Sequence, residues 1–250
     1  MMIRITPQYE GLTPYIEHLP GVFESEGREI YRKRNLIKVF RAPDGTLLNV
    51  KRYHVPRCLN ALVYSLGLRK SKGLRAWEYP ARLKARGIET PEPVAYVEER
   101  RLGLLRYSYF VSLQCPYPHT LYDMAEAEPV LYEPMAEALA EYAARMHEAG
   151  VLHKDFTPGN ILWERAGDGS FRFSLVDINR MDFGPVSTRT GLRSLVRLWG
   201  PKRFIQLLAR HYAALRGMDP DRAETQVLRW REHFWRRYAL KHKIPFPVEL

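Results

Sequence analysis

One stretch limits what this chain can fold into more than any other: Gly-Val-Leu-His-Lys-Asp-Phe-Thr-Pro-Gly-Asn-Ile-Leu-Trp, residues 150–163. Within it His153, Asp155 and Asn160 stand in the spacing H-x-D-x-x-x-x-N, and an apolar run follows. Pro158-Gly159 is turn chemistry, so the chain can double back between the carboxylate and the amide. A carboxylate in that place can accept the proton of an attacking hydroxyl, and the returning amide can hold a metal. A surface turn would explain a bare H-x-D, but the flanks fit the richer reading. Met146-His147-Glu148-Ala149-Gly150 closes a long helix, and Ile161-Leu162-Trp163 reads as a strand.

The spacing is that of the catalytic loop of the kinase fold. The wording His-Lys-Asp-Phe-Thr-Pro-Gly-Asn-Ile-Leu resembles the lipopolysaccharide core kinases, kinase-like enzymes that phosphorylate Kdo or heptose sugars of the inner core. It is less similar to protein-serine/threonine kinases, which usually carry Lys where this chain has Thr157. The resemblance runs from Tyr31 to about Trp199, and only the catalytic loop is highly specific. It implies an α+β, two-lobed, protein-kinase-like fold with a small β-rich lobe and a helical lobe. It also implies ATP and Mg2+ as cofactors.

Composition sets the remaining bounds. At 250 residues and 46% hydrophobic, the chain can bury a full core in one domain or two small lobes. The N-terminus has no long apolar region, so no signal peptide is expected, and no apolar run is long enough to span a bilayer. Cys58 and Cys115 form no metal-ligand spacing and read as reduced thiols in a cytosolic protein. The net charge is +11 and the pI near 9.7. Basic residues cluster at 28–38, 51–57, 69–75 and 229–243. Such a surface favours an anionic partner or simply keeps the protein soluble. No nucleic-acid-binding signature accompanies the charge, so nucleic acid is not expected as a partner.

The first 114 residues read as the small lobe. Ile3-Arg4-Ile5 is strand-like and Tyr15 to Phe23 a short helix; Gly27 opens the first sheet segment. A phosphate flap has only Gly21 and Gly27 to draw on, with Arg32, Arg34 and Asn35 as alternative phosphate contacts or as exposed strand residues. Asp-Gly between Leu36–Phe40 and Thr46–Tyr53 signals a hairpin. On its second arm Lys51 matches the strand lysine that clamps nucleotide phosphates in kinases, with Lys38 as competitor. Ser71 to Arg86 reads as a helix stopped by Gly87. Glu78 is the candidate to orient Lys51, although Pro80 beside it calls for a late helix start or a kink. Tyr109 to Leu113 resembles the last strand of the lobe, and Gln114-Cys115-Pro116 a hinge whose backbone takes the adenine edge.

Residues 115–250 read as the helical lobe. Leu131, Met135, Leu139, Tyr142 and Met146 form a core-facing stripe, and the hairpin from Ile161 to Val176 delivers Asp177. A literal Asp-Phe-Gly stands at 182–184, but Asp177 directly follows the apolar strand Phe173–Val176. Asp177-Ile178-Asn179-Arg180 also resembles the Asp-Phe-Asp-Arg of the lipopolysaccharide kinases, with Asn in place of the second Asp. Asp177 is therefore the expected metal ligand, with Asn160. No long activation segment follows. The last helix, opened by Asp219-Pro220, carries Val227, Trp230, Phe234, Trp235 and Tyr238, a face for the core or, with its basic neighbours, for a membrane.

The expected reaction is transfer of the γ-phosphoryl group of ATP to a Kdo or heptose hydroxyl. Asp155 is the base, Asn160 and Asp177 the Mg2+ ligands, and Lys51 and Glu78 the phosphate clamp. Gln114 and Cys115 hold the adenine, and His153 is a scaffold for the loop. The acceptor is an anionic glycolipid or sugar, met in the cytoplasm, with peripheral association at the cytosolic face of the inner membrane. The alternatives are a kinase of another small molecule or of protein, and a kinase-like scaffold that binds nucleotide or lipid without turnover.

Overall fold

The computed structural model describes residues 1–54, 64, 68, 70–244 and 246–249. Cys58, Arg57 and Arg69 lie outside the described residues. The chain forms two compact units: Met1–Ala85 with Thr90–Pro116, and Arg86–Glu89 with Tyr117–Leu250.

Six antiparallel strands make the first unit: β1 (Met2–Ile5), β2 (Arg28–Arg32), β3 (Leu36–Arg41), β4 (Leu47–Tyr53), β5 (Pro93–Arg101) and β6 (Leu104–Leu113). Their order across the sheet is β1-β5-β6-β4-β3-β2. The β3–β4 hairpin closes over Asp44-Gly45, where Gly45 takes φ +88° and Asp44 Oδ1 accepts the Thr46 amide at 2.9 Å. That is the turn the sequence announces. One sheet face buries Leu48, Val50, Val97, Tyr109 and Val111 against Ile16, Leu19 and Phe23 from the helix α1 (Thr13–Val22) and its C-terminal edge. Each such side chain is worth about 1.5–3 kcal/mol when fully buried. Gly21 falls inside α1 and Gly27 turns at φ +77° under the Phe40 ring, so both glycines build the scaffold.

The helix α2 (Lys72–Lys84) packs on β5 and β6. Ser71, read from sequence as the first helical residue, is instead its cap, its hydroxyl accepting the Leu74 amide at 3.1 Å. The helix neither starts late nor breaks: Pro80 lies inside it, buried. Gly73 is required by close approach, since a Cβ there would stand 2.8 Å from the Tyr96 ring. Ser71 also bonds the Tyr96 hydroxyl at 2.7 Å, and Tyr96 donates to Glu98, which pairs with Arg100. This chain of polar groups satisfies a carboxylate that is otherwise buried. Burial and then Glu98 hold the Tyr96 hydroxyl far above the usual tyrosine range.

The second unit is built on helices. α3 (Pro129–Glu148) packs against α5 (Lys202–Leu215), and α5 against α6 (Pro220–Ala239), with the short α4 (Thr188–Ser194) beside them. Met135, Leu139 and Met146 of the expected stripe are fully buried. Gly191 lets α4 approach the pair His147–Tyr212, for a Cβ there would sit 1.9 Å from the Tyr212 oxygen. Two small sheets carry the connecting loops: β10 (Phe171–Leu175), β9 (Ile161–Arg165) and β7 (His119–Thr120), and β11 (Met181–Phe183) with β8 (Val151–His153). Among the described residues no helix is long and apolar enough to cross a membrane.

Candidate active site

His153 ends β8 and is buried. Its Nδ1 accepts the Asp155 amide at 3.0 Å, and its Nε2 faces the Val176 carbonyl at 3.1 Å. The first bond makes Nδ1 the acceptor, so Nε2 carries the proton and donates to Val176. Burial lowers the imidazole's pKa and keeps it neutral, with Val176 opposing more weakly. One ring thus ties the backbone at Asp155 to the residue before Asp177. That is a scaffold's geometry.

The 155–160 loop closes on itself. Asn160 Nδ2 donates to the Asp155 carbonyl at 2.9 Å and to Thr157 Oγ1 at 3.2 Å. With its NH2 group turned inward, the amide presents its oxygen, the atom a cation would need. Asn160 is also latched to the end of β10, its carbonyl accepting the Val176 amide at 3.0 Å. Gly159 leaves room for Tyr122, whose hydroxyl would meet a Cβ at 2.7 Å.

Asp177 follows β10 in a left-handed backbone conformation, φ +55° and ψ +39°. Apart from Asp177, only Leu102 among the described non-glycine residues has positive φ. Asn179, buried, donates from Nδ2 to Asp177 Oδ1. An aspartate at 179 would instead repel that carboxylate, which explains how Asn can stand there. Asp182 has a different setting. It is exposed on β11, opposite Leu152, and pairs with Lys154 at 2.7 Å. β11 forms because β8 supplies the partner, in register Met181–His153 and Phe183–Val151.

The first unit holds the other named residues. Lys38 Nζ donates to the carbonyls of Glu24 and Glu26 at 3.0 and 2.8 Å, so this competitor is bound to the chain's own turn. Lys51 is buried on the face it shares with Tyr53, its ammonium 5.3 Å from the ring centroid. The ion pair that Glu78 makes is with Lys70, at 2.6 Å. Gln114 donates its backbone amide to the Leu47 carbonyl at 2.8 Å, its Oε1 accepts from Asn49 Nδ2 at 2.9 Å, and its Nε2 donates to the Cys115 carbonyl at 3.2 Å. Cys115 is half-buried and forms no disulfide among the described residues. Arg32 pairs with Glu29, and the Asn35 side-chain oxygen accepts the His54 amide.

Sequence reasoning missed the partners of Asp155. Arg197 Nη1 meets Asp155 Oδ1 at 2.7 Å, and Arg180 Nη1 lies 4.0 Å from Oδ2. The Arg197 guanidinium stands over the Phe234 ring at 5.8 Å. Arg231, 1% exposed, donates to the carbonyls of Val196, Leu198 and Gly200 around it. Burial pushes the Arg231 pKa down to about 10, yet it remains charged at neutral pH. The available signal was Arg189, Arg193 and Arg197 at intervals of four, which by itself reads as a solvated helix face.

The architecture and this loop define a kinase-like fold, and the comparisons agree. A WaaP structure solved in complex with acyl carrier protein superposes with a TM-score of 0.61 at 21% identity, covering 95% of this chain and 99% of that one. An amicoumacin kinase, hAmiN, in complex with AMP-PNP, Ca2+ and Ami, gives 0.57 at 12% identity, covering 94% and 89%. A search of the curated proteins found no match. Residues 32–210 match the lipopolysaccharide kinase (Kdo/WaaP) family, and the chain belongs to that family. It is a phosphotransferase with an alcohol group as acceptor.

Proposed function

We propose that the protein transfers the γ-phosphoryl group of ATP to a Kdo or heptose hydroxyl of the lipopolysaccharide inner core. The observation that carries this reading is the closed 155–160 loop, which fixes the Asp155 backbone and engages the NH2 group of Asn160. In the reaction the acceptor oxygen forms a bond to the γ-phosphorus while the bond from that phosphorus to the β–γ bridging oxygen breaks. The hydroxyl proton passes to the Asp155 carboxylate and ADP leaves. Asn160 and Asp177 would hold Mg2+, a hard cation that takes oxygen ligands and neutralises charge on the phosphates. Lys51 serves the phosphates in the first unit, and the Gln114-Cys115 backbone the adenine. Glu78, paired with Lys70, supports that clamp only after a change of partner.

The acceptor's carboxylates and phosphates suit a chain of net charge +11. The acceptor's lipid part suits a cytoplasmic protein that associates peripherally with the inner membrane. The test supplies purified protein with labelled ATP and either a Kdo- or heptose-bearing lipid A precursor or casein. Label should enter the lipid acceptor and not casein. Asp155→Asn should lower the rate by at least a hundredfold while ATP still binds, because the carboxylate acts on the hydroxyl and not on the nucleotide. Wild-type rates in that variant, or labelling of casein alone, would reject the reading.

A further inference from the structure

The partners of Asp155 raise a question that phosphotransfer alone does not answer. A carboxylate that must receive a proton is held by one guanidinium at 2.7 Å and lies 4.0 Å from a second. Arg197 has five N–H donors. Among the described residues its one hydrogen-bond partner is Asp155, so most of those donors are left for a ligand. The side chain is also 40% exposed, so a ligand can reach it.

Arg197 does not stand alone. Arg189 and Arg193 precede it at intervals of four on α4 and its continuation, Leu195–Arg197. Both lie over Trp230, at 5.8 and 5.9 Å from the ring centroid, and Arg197 lies over Phe234, one turn further along α6. A row of three arginines is thus laid on a row of two aromatic rings. Arg189 and Arg193 are exposed, and among the described residues neither forms an ion pair. Stacking on rings orients a guanidinium while leaving its edge donors open, the arrangement that suits carboxylate and phosphate recognition. Beneath the row, α6 fixes the backbone through Arg231, whose bonds to Val196 and Leu198 bracket Arg197. A solvated salt bridge would not need such support. All of α6 lies beyond residue 210, outside the stretch that matches the family.

We propose that Arg189, Arg193 and Arg197 form the acceptor's anion-binding row, and that Arg197 exchanges Asp155 for an acidic group of the acceptor. The ligand class is a sugar bearing carboxylate or phosphate. The identity of the acceptor rests on the phosphotransfer reading above. Docking of the anion draws the guanidinium away from Asp155 and frees the carboxylate for the hydroxyl proton. An acceptor without the anion leaves Asp155 paired. The row therefore selects for charge as well as binding it.

The test uses the full chain and a Kdo-bearing lipid A precursor in three forms: untreated, with its carboxylates methyl-esterified, and with its phosphates removed. For the wild type, one of the two altered forms should raise KM at least tenfold, and which one identifies the anion as carboxylate or phosphate. Arg197→Ala should raise KM at least tenfold on the untreated form and show no further response to that alteration. Arg193→Ala, which leaves the Asp155 pair intact, should raise KM with kcat unchanged and serves if the first variant folds poorly. Calorimetric titration of the untreated precursor without ATP supplies a readout independent of turnover. Tenfold weaker binding by Arg197→Ala without any transfer by wild type would reject the kinase reading and keep the row. Transfer that is equally impaired on all three forms, or unimpaired, would reject the row and keep the kinase.

Discussion

At the scale of single residues, Asp177 and Asp182 show how little a motif means without its setting. Asp177 ends the apolar stretch Phe173–Val176, whereas Asp182 follows Asn179-Arg180-Met181 and is followed by Phe-Gly. Asp177 has the constrained backbone and the buried amide neighbour, whereas Asp182 is exposed and already neutralised by Lys154. Strain of this kind collects where function over-determines the backbone. Asp177→Ala should therefore weaken Mg·ATP binding at least tenfold, while Asp182→Ala should leave it within twofold of wild type. Titration of Mg·ATP into both purified variants reads this directly, and the reverse ranking would move the metal site to 182. The loop residues were legible because their spacing is itself the signal. Arg197 was not, because its importance comes from what it touches forty-two residues away in sequence.

Elements tell a similar story. The hairpin over Asp44-Gly45, the helix that follows Ser71 and the core stripe of α3 follow from local chemistry, and the sequence shows all three. The three-residue strand β11 does not, since its pairing with β8 and not its own alternation makes it a strand. Pro80 misled for a related reason: a proline inside a helix costs roughly 3 kcal/mol, and burial of its ring offsets part of that. The β5–β6 hairpin carries an avoidable cost. Its two-residue turn, Leu102-Gly103, has φ +51° and +80°, and Leu102 is 95% exposed. Positive φ at both positions favours Asn-Gly, and leucine gains no burial in return. Leu102→Asn should stabilise the first unit by about 0.5–1 kcal/mol. Chemical denaturation followed by circular dichroism would show it, and a loss of stability would mean that the leucine has a role the turn does not explain.

For the whole molecule, charge and burial combine to make it labile to acid. It carries a net +11 at neutral pH, and each proton added below that pH increases its self-repulsion. His147 adds a specific contribution, since its Nδ1 meets the Tyr212 hydroxyl at 2.8 Å inside the helical unit. Burial, and then Arg216, pushes its pKa down from 6.5 to about 4. Below 6.5 the unfolded chain takes up a proton that the folded state refuses. The stabilisation is therefore complete above pH 6.5 and is lost as pH falls toward 4, by about 3 kcal/mol in all. Urea unfolding of the helical unit should show about 2 kcal/mol less stability at pH 5 than at pH 7 from this residue. His147→Gln should shrink that difference, and an unchanged pH dependence in the variant would exclude His147 as its source. The arrangement was half legible: the stripe that buries the helix is visible in the sequence, but the histidine on its edge looks like a surface residue until α5 and Tyr212 cover it.

The left-handed backbone at Asp177 has a consequence for how this sequence can drift. Glycine occupies that conformation without steric cost, a relief of roughly 1 kcal/mol that is set against the lost bond to Asn179. Selection for folding alone is thus nearly indifferent between aspartate and glycine here, while selection for phosphotransfer, under the proposed metal role of Asp177, is not. A copy of the chain released from its catalytic duty could lose this carboxylate early and still fold, becoming a well-formed protein with the same outline and no chemistry.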